Sequence, residues 1–233
     1  PTVMRFCNRL GFAGFQQFRI SLAQTLAVGL PATLSAIGPT DSIDELTTKI
    51  FDHTMSSLDR ARRYLDSSQV EKAVEAILAS ESVDLAGLGA SGVIALDVQQ
   101  KAALFGIPCT APPDPHQQYM AAAMAGPKTV TIVISNTGRT DPLVHVARTA
   151  RGNGATVIAM TGSEDAPLLE HCDIPIVVRT IEDTDVHTPT VSRLAGLVVV
   201  DILATAVALR RGPAHLERLS AMKDGLTRFR RND

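Results

Sequence analysis

The sequence predicts an α/β fold, a three-layer αβα sandwich built on a five-stranded parallel sheet. From Val83 onwards, short β-branched stretches alternate with stretches whose apolar residues have helical spacing. Such alternation is typical of a parallel sheet covered by helices on both faces. Residues 130–134 are apolar except at Thr131, as in a strand buried on both faces. The chain has 233 residues, 45% of them apolar, which is enough for one large domain and a smaller appendage.

The first part of the chain is predicted to form two short helices, at residues 1–10 and 12–26, that share a small apolar core. The apolar face of the first helix consists of Val3, Phe6, Cys7 and Leu10. Three side chains off that face are suited to contacts with DNA in the major groove, namely Thr2, Arg5 and Arg9. An ordinary amphipathic helix with solvated arginines would have the same pattern.

A connecting region separates these helices from the sheet. Residues 28–40 are rich in Gly, Pro, Ser and Thr and predict a linker. Ser42 and Glu45 form a capping box at the start of a long amphipathic helix, and Ser68 and Glu71 repeat that spacing at the next helix. The predicted division is residues 1–27, the connecting region 28–66 and the α/β domain 67–233.

The strands and helices of the α/β domain are predicted in strict alternation. Strands are expected at residues 83–87, 107–111, 130–135, 155–161 and 174–178. The helices between them are expected at about 90–105, 117–124, 142–153 and 166–171. Two helices close the chain, one capped by Thr188 and opened by Pro189 that runs to about Arg210, and one at about 214–229.

Two loops at the ends of predicted strands have the composition of a phosphate-binding site. Ligands of open parallel sheets bind at the carboxyl ends of the strands. Hydroxyl and amide side chains, together with the free N–H groups at the start of a helix, favour an anion there, although the same residue types are common in ordinary turns. The candidate residues are Gly89, Ala90 and Ser91 in the first loop and Ser135, Asn136, Thr137, Gly138, Arg139 and Thr140 in the second.

Composition argues against several other classes of protein. The net charge of −2 is not that of a polycation that binds nucleic acid indiscriminately. Three cysteines without paired spacing predict no zinc site and suit a reducing cytoplasm. No apolar run is expected to reach the length of a membrane span. The Gly87-x-Gly89 spacing is not accompanied by the acid that a nicotinamide site has at the end of the next strand, and no GK[ST] motif is present, so no cofactor is expected.

The sequence resembles a known family. Residues 87–108 and 134–161 are similar to a SIS, or sugar isomerase, domain, and 135–140 resembles that family's S-x-S-G-x-T phosphate loop with Thr137 in place of the second serine. The pattern formed by Asp114, His116, Gln118 and Met120 resembles a segment of the RpiR-type bacterial transcriptional regulators, as does 188–203. Residues 1–24 are similar to the last two helices of their helix-turn-helix domain, whose first helices are expected to precede this sequence.

The resemblance implies a DNA-binding regulator that senses a phosphorylated sugar. It implies a phosphosugar effector in the two loops, operator DNA on the N-terminal helix, and a homodimer or homotetramer without membrane association. The alternative is an aldose–ketose phosphate isomerase on the same fold. A third possibility is a binding module that has lost DNA recognition.

Several further residues have competing interpretations. His116 is expected to hold its own turn rather than contact a sugar, and Glu182 is expected to belong to a solvated acidic loop with Asp183, Asp185 and His187 rather than transfer protons. Arg193 is expected to pair with an acid in the core or at a subunit contact. Cys109 is expected to be a buried apolar residue.

Overall fold

A five-stranded parallel sheet lies at the centre of the computed structural model, which describes residues 2–9, 14–16, 18–19, 40–182 and 190–229. The strands pair in the order β2-β1-β3-β4-β5, and every pair is parallel. The predicted fold class is therefore confirmed. The strands are β1 (Ser82–Gly87), β2 (Cys109–Thr110), β3 (Thr129–Ile134), β4 (Thr156–Thr161) and β5 (Ile174–Val177).

Helices cover both faces of the sheet, since alternate residues of each strand pack to opposite sides. Leu85, Ile132 and Ile158 belong to one apolar core, whereas Val133 and Val157 belong to the other. The helices in chain order are α1 (Thr2–Arg9), α2 (Ile43–Tyr64), α3 (Ser67–Ala79), α4 (Ala90–Gln100), α5 (Ala102–Phe105), α6 (Pro115–Met124), α7 (Asp141–Gly152), α8 (Val191–Arg210) and α9 (Pro213–Phe229). A short 3₁₀ helix, Pro167–His171, precedes β5.

The first predicted capping box is confirmed and the second is wrong. The Ser42 hydroxyl accepts the N–H of Glu45 at 3.3 Å, and the Glu45 carboxylate accepts the N–H of Ser42 at 2.8 Å. In α3 the N-cap is Asp66, whose carboxylate accepts the N–H of Ser68 at 2.8 Å. Glu71 instead pairs with Arg210 on α8 at 2.7 Å, because its side chain faces that helix.

Two further expectations need correction. The single helix predicted at about 90–105 is broken at Lys101, whose backbone leaves the helical conformation and whose ammonium lies 2.7 Å from Asp201. Helix α8 is long and apolar enough for a membrane span, with a mean hydropathy of 1.9. Its composition reflects burial, since ten of its residues are buried in the protein.

Some predicted segments lie outside the described residues. These are the linker up to residue 39, most of the second helix, Thr188 and Pro189.

Candidate functional site at the carboxyl edge of the sheet

The two candidate loops lie side by side at the carboxyl edge of the sheet. Gly87, the last residue of β1, aligns with Ile134, the last residue of β3. The helices that follow these strands pack on opposite faces, because α4 belongs to one apolar core and α7 to the other. This is the point where the strand order reverses, and a crevice opens there in parallel sheets of this kind.

The loop of residues 135–140 is shaped by its own hydroxyl groups. The Ser135 hydroxyl accepts the N–H of Gly138 at 3.1 Å and lies 3.2 Å from the Thr140 hydroxyl. The Thr137 hydroxyl accepts the N–H of Arg139 at 3.3 Å. Ser135 is buried, whereas Thr137 and Arg139 are exposed. Ser135 therefore stabilises the turn from its buried side, whereas the side chains of Thr137 and Arg139 face solvent.

The same loop is fastened to the neighbouring strand β4. The Asn136 carbonyl accepts the N–H of Gly162 at 2.9 Å and the hydroxyl of Thr161 at 3.2 Å. The Gly138 carbonyl accepts the N–H of Leu168 at 3.1 Å. These three hydrogen bonds fix the position of the loop relative to the end of β4. Sequence reasoning assigned no role to Thr161 or Gly162, and only their position at the end of a predicted strand could have suggested one.

The first loop is held by close packing and by a buried amide. A Cβ atom on Gly87 would lie 2.7 Å from the carbonyl oxygen of Ser91, so only glycine allows this tight turn into α4. The Gln118 side-chain amide donates to the carbonyls of Gly87 at 3.0 Å and Pro112 at 2.8 Å. Gln118 is 3% exposed. It ties the end of β1 to the loop after β2, a role that its place in the sequence did not reveal.

A shallow cleft, partly open to solvent, lies between these loops and the start of α8. Of the predicted site residues, Ala90, Ser91 and Asn136 line it, whereas Gly89 and the other residues of the 135–140 loop are not among its lining residues. Its other lining residues are Ile94, Ile134, Met160, Thr161, Val178, Ser192, Arg193 and Gly196.

The Arg193 guanidinium is the cationic group of this cleft. None of the described acidic residues lies within ion-pair distance of it, so the expected core ion pair is not formed with any of them. A half-buried cation without a counter-ion in the described structure attracts an anion from solution, because burial weakens the screening by water.

Glu182 caps the helix that carries Arg193, which corrects its assignment to a solvated loop. Its carboxylate accepts the N–H groups of Thr190 at 2.6 Å, Val191 at 3.1 Å and Ser192 at 2.9 Å. Burial raises the pKa of Glu182, but the hydrogen bonds from Ser192, Thr190 and Val191 outweigh it and leave the pKa below its ordinary value. Asp183, Asp185 and His187 lie outside the described residues.

His116 and Cys109 do not belong to the cleft. The His116 side chain is 91% exposed, and the carboxylate of Asp114, which accepts the N–H of His116 at 2.9 Å, holds the turn. Cys109 is buried as expected, and this burial raises the pKa of its thiol to about 11. The thiol is therefore protonated at neutral pH and unreactive.

The N-terminal helix is confirmed at Thr2–Arg9. Arg5 is exposed on it, whereas the side chains of Thr2 and Arg9 lie outside the described part of the structure. Of the predicted apolar face, Cys7 is fully buried, but Val3 and Phe6 are each more than half exposed. The Phe6 ring meets that of Phe18 edge to face at 5.9 Å, which is an aromatic contact between the two predicted helices.

Known proteins share this sequence and this architecture. Residues 76–206 match the model of the SIS domain. Over 230 residues the chain is 39% identical to the HTH-type transcriptional regulator HexR of Escherichia coli (strain K12), covering 99% of this chain and 79% of that protein. The chain belongs to the RpiR-type family of SIS-domain transcriptional regulators. The match to HexR of Pseudomonas aeruginosa is similar, with 39% identity that covers 97% of this RpiR-type chain and 79% of that protein.

Another relative matches this chain over only part of its own length, and two solved structures share the fold at low sequence identity. The Bifunctional protein glk of Burkholderia thailandensis is 34% identical over 222 residues, which cover 95% of this RpiR-type chain and 34% of that protein. The structure of Vibrio vulnificus NanR complexed with ManNAc-6P superposes with a TM-score of 0.73 at 21% identity, covering 99% of this chain and 82% of that one. The sugar isomerase domain of an RpiR transcription factor from Sphaerobacter thermophilus has a TM-score of 0.68 at 22% identity. The match covers 78% of this chain and 98% of that one.

Proposed function

We propose that this RpiR-type regulator controls genes of carbohydrate metabolism in response to a phosphorylated sugar bound in the cleft at the carboxyl edge of the sheet. Family membership supports the regulatory role. The NanR structure contains a sugar phosphate, ManNAc-6P, and its fold resembles that of this chain. Three free cysteines, two of them buried, agree with a cytoplasmic location.

The observation that carries this proposal is the composition of the cleft around Arg193. Its guanidinium shares the cleft with the hydroxyl-bearing side chains of Ser91 and Thr161 and with the amide of Asn136. Helices α4 and α7 begin at the same edge, and neither has a hydrogen bond from a side-chain cap. A cation, polar side chains and two helix N-termini together suit a ligand with one anionic group and several hydroxyl groups.

The described cleft offers little to an isomerase. Sugar isomerisation requires a carboxylate or an imidazole that moves a proton between carbons. Among the described residues that line the cleft, Arg193 is the one ionisable group. The nearby Glu182 carboxylate is already engaged by the N-terminus of α8. We therefore propose that the protein senses its ligand and does not convert it.

The proposed regulator acts as a homodimer or a homotetramer on operator DNA. Helices α4 and α8 pack side by side and present exposed apolar side chains on their outer faces, namely Val93, Leu96, Leu194, Val198 and Ile202. An apolar patch of this kind suits a second copy of the chain. Two copies would present two N-terminal helices, as a palindromic operator requires.

A calorimetric panel tests the proposed ligand class. We expect at least one of glucose 6-phosphate, fructose 6-phosphate, 6-phosphogluconate and N-acetylmannosamine 6-phosphate to bind the protein, while the unphosphorylated sugars do not. Arg193→Ala should weaken that binding about 10-fold or more, because it removes a charge-assisted contact worth roughly 1.5–3 kcal/mol. Arg218→Ala, at an exposed site on α9, is the matched control and should leave it unchanged.

Two results would contradict the proposed function. The first is that none of the four sugar phosphates binds the wild-type protein. The second is that purified protein interconverts an aldose phosphate and its ketose at a rate well above background, which would favour the isomerase. Equal binding by wild type and Arg193→Ala would remove Arg193 from the site but leave the ligand class standing.

A further inference from the structure

Helix α2 packs on α8 along one side and is otherwise largely exposed, and one of its contacts is unusual. Of its 22 residues, only Ser57 and Ala61 are buried. The Ser57 hydroxyl accepts the N–H of Ile181 at 3.2 Å and lies 3.3 Å from the carbonyl oxygen of the same residue. A fully buried serine thus binds both the backbone N–H and the backbone carbonyl of one residue, Ile181, which is 124 positions away in the sequence.

A second contact joins the end of the same helix to the same segment. The Arg179 guanidinium lies over the ring of Tyr64, 5.2 Å from its centroid, and forms an ion pair with Glu164. Glu164 follows the β4 residues that hold the 135–140 loop. Helix α2 is therefore attached at two places to the segment 178–182, which links the end of β5 to the cap of α8.

The segment 178–182 also contacts the cleft at both of its ends. Val178 lines the cleft and donates its N–H to the Thr161 carbonyl at 2.7 Å. At the other end Glu182 holds the first N–H groups of α8, directly before the cleft residues Ser192 and Arg193. A movement of Arg193 toward a bound anion would therefore displace Glu182, which caps the same helix. Ile181, the neighbour of Glu182, would move with it and displace Ser57.

We propose that residues 178–182 couple occupancy of the cleft to the placement of α2, with Ser57 as the positioning residue on that helix. This inference rests on the proposed function, because it requires a ligand in the cleft. An effector changes a distant site only if it binds the two conformations unequally. The thin interface of α2 makes such a second arrangement accessible, since few buried contacts must be exchanged.

Hydrogen exchange without any ligand gives the first test. In the unliganded protein, Ser57→Ala should raise the exchange rate of α2 amides at least threefold relative to wild type, because the helix loses its buried anchor. Glu182→Gln should also raise α2 exchange, although it lies outside that helix. Thr47→Ala is the control, because the Thr47 hydroxyl donates only within α2, to the Ile43 carbonyl at 2.7 Å. This variant should not raise the exchange rate of α2 amides. Unchanged α2 exchange in Glu182→Gln would overturn the coupling.

The second test adds the sugar phosphate that binds best in the calorimetric panel. Wild type should show changed exchange both in 178–192 and in α2, whereas Ser57→Ala should bind with affinity within threefold of wild type but lose the change in α2. Persistence of that change in Ser57→Ala, or its absence in wild type that demonstrably binds the ligand, would overturn the coupling alone. Lack of binding by wild type would overturn the proposed function and the coupling with it.

Discussion

Gly138 occupies the most constrained position of the 135–140 loop. Its φ of +61° lies in the left-handed region, which side chains with a Cβ atom rarely adopt. A Cβ atom there would also lie 2.3 Å from that of Ala166 and 3.0 Å from the Thr161 hydroxyl. The loop can approach β4 this closely only because the residue is glycine.

Gly138→Ala is therefore expected to destabilise the folded protein by about 2–4 kcal/mol, from backbone strain and overpacking together. Urea denaturation followed by circular dichroism measures the difference. Gly152→Ala is the control, because a Cβ atom at the end of α7 meets no other atom within 4 Å. It should leave the free energy of unfolding unchanged or raise it slightly. A Gly138→Ala protein as stable as wild type would contradict the described loop geometry.

The individual site residues were only partly predictable from the sequence. The hydroxyl-rich composition of 135–140 predicted a polar turn after a buried strand, and that turn is present, because turn residues after such a strand are a local signal. Its role as a phosphate site stays a prediction. Arg193 and Gln118 could not be assigned, since their roles depend on which elements meet at one edge of the sheet. Glu182 was misassigned because a carboxylate eight residues before a helix start has no sequence pattern of a cap.

At the scale of elements, the start of α8 depends on the charge of one carboxylate. Because the pKa of Glu182 is lowered in the folded protein, the ionised side chain stabilises the fold above the unfolded-state pKa of roughly 4.3. That contribution is lost as the pH falls through the lower, folded-state pKa. The cap of α8 is thus present at neutral pH and fails in acid.

Glu182→Gln should accordingly lower the thermal midpoint at pH 7, because one amide group cannot accept all the bonds that the carboxylate accepts. The difference from wild type should shrink as the pH is lowered below about 4. Thermal unfolding monitored from pH 7 to pH 3 checks this. Glu170→Gln, at an exposed position before β5, is the comparison and should show no such convergence. A difference that stays constant with pH would argue against the ionised cap.

The elements themselves were predictable wherever a local pattern sets them. The capping box of Ser42 and Glu45 and the alternation of strands and helices are local, and both are confirmed. The start of α3 was misread because Asp66 competes with Ser68 for the same free N–H groups, and propensity does not decide between two good caps. The break at Lys101 has no local signal, since no glycine or proline lies between residues 93 and 105.

At the scale of the whole molecule, the exposed apolar stripe on α4 and α8 predicts how copies associate. Val198 is 46% exposed at its centre, and its neighbours Leu194 and Ile202 lie one helical turn away on either side. If the wild-type protein forms the proposed oligomer, Val198→Glu should convert it to smaller species, because a charge would be buried in an apolar contact. Sedimentation velocity measures the mass.

Met124→Glu is the matched control for this experiment, because Met124 is 87% exposed on α6, in the other helix layer. It should leave the oligomer intact. In a gel-shift titration Val198→Glu should weaken binding to operator DNA through loss of pairing, whereas Arg5→Ala should weaken it without a change in mass. A wild-type protein that sediments as a monomer would contradict the proposed assembly.

The edges of the sheet explain why association should proceed through helices. Strand β2 has only two residues, which leaves little backbone for a further strand at that edge. At the opposite edge, the N–H of Val178 points inward to β4, so alternation directs the N–H of residue 175 outward, and that residue is Pro175. A proline there cannot donate to an added strand. Both borders thus resist edge-to-edge pairing and amyloid-like aggregation, which would compete with the defined association proposed for this protein.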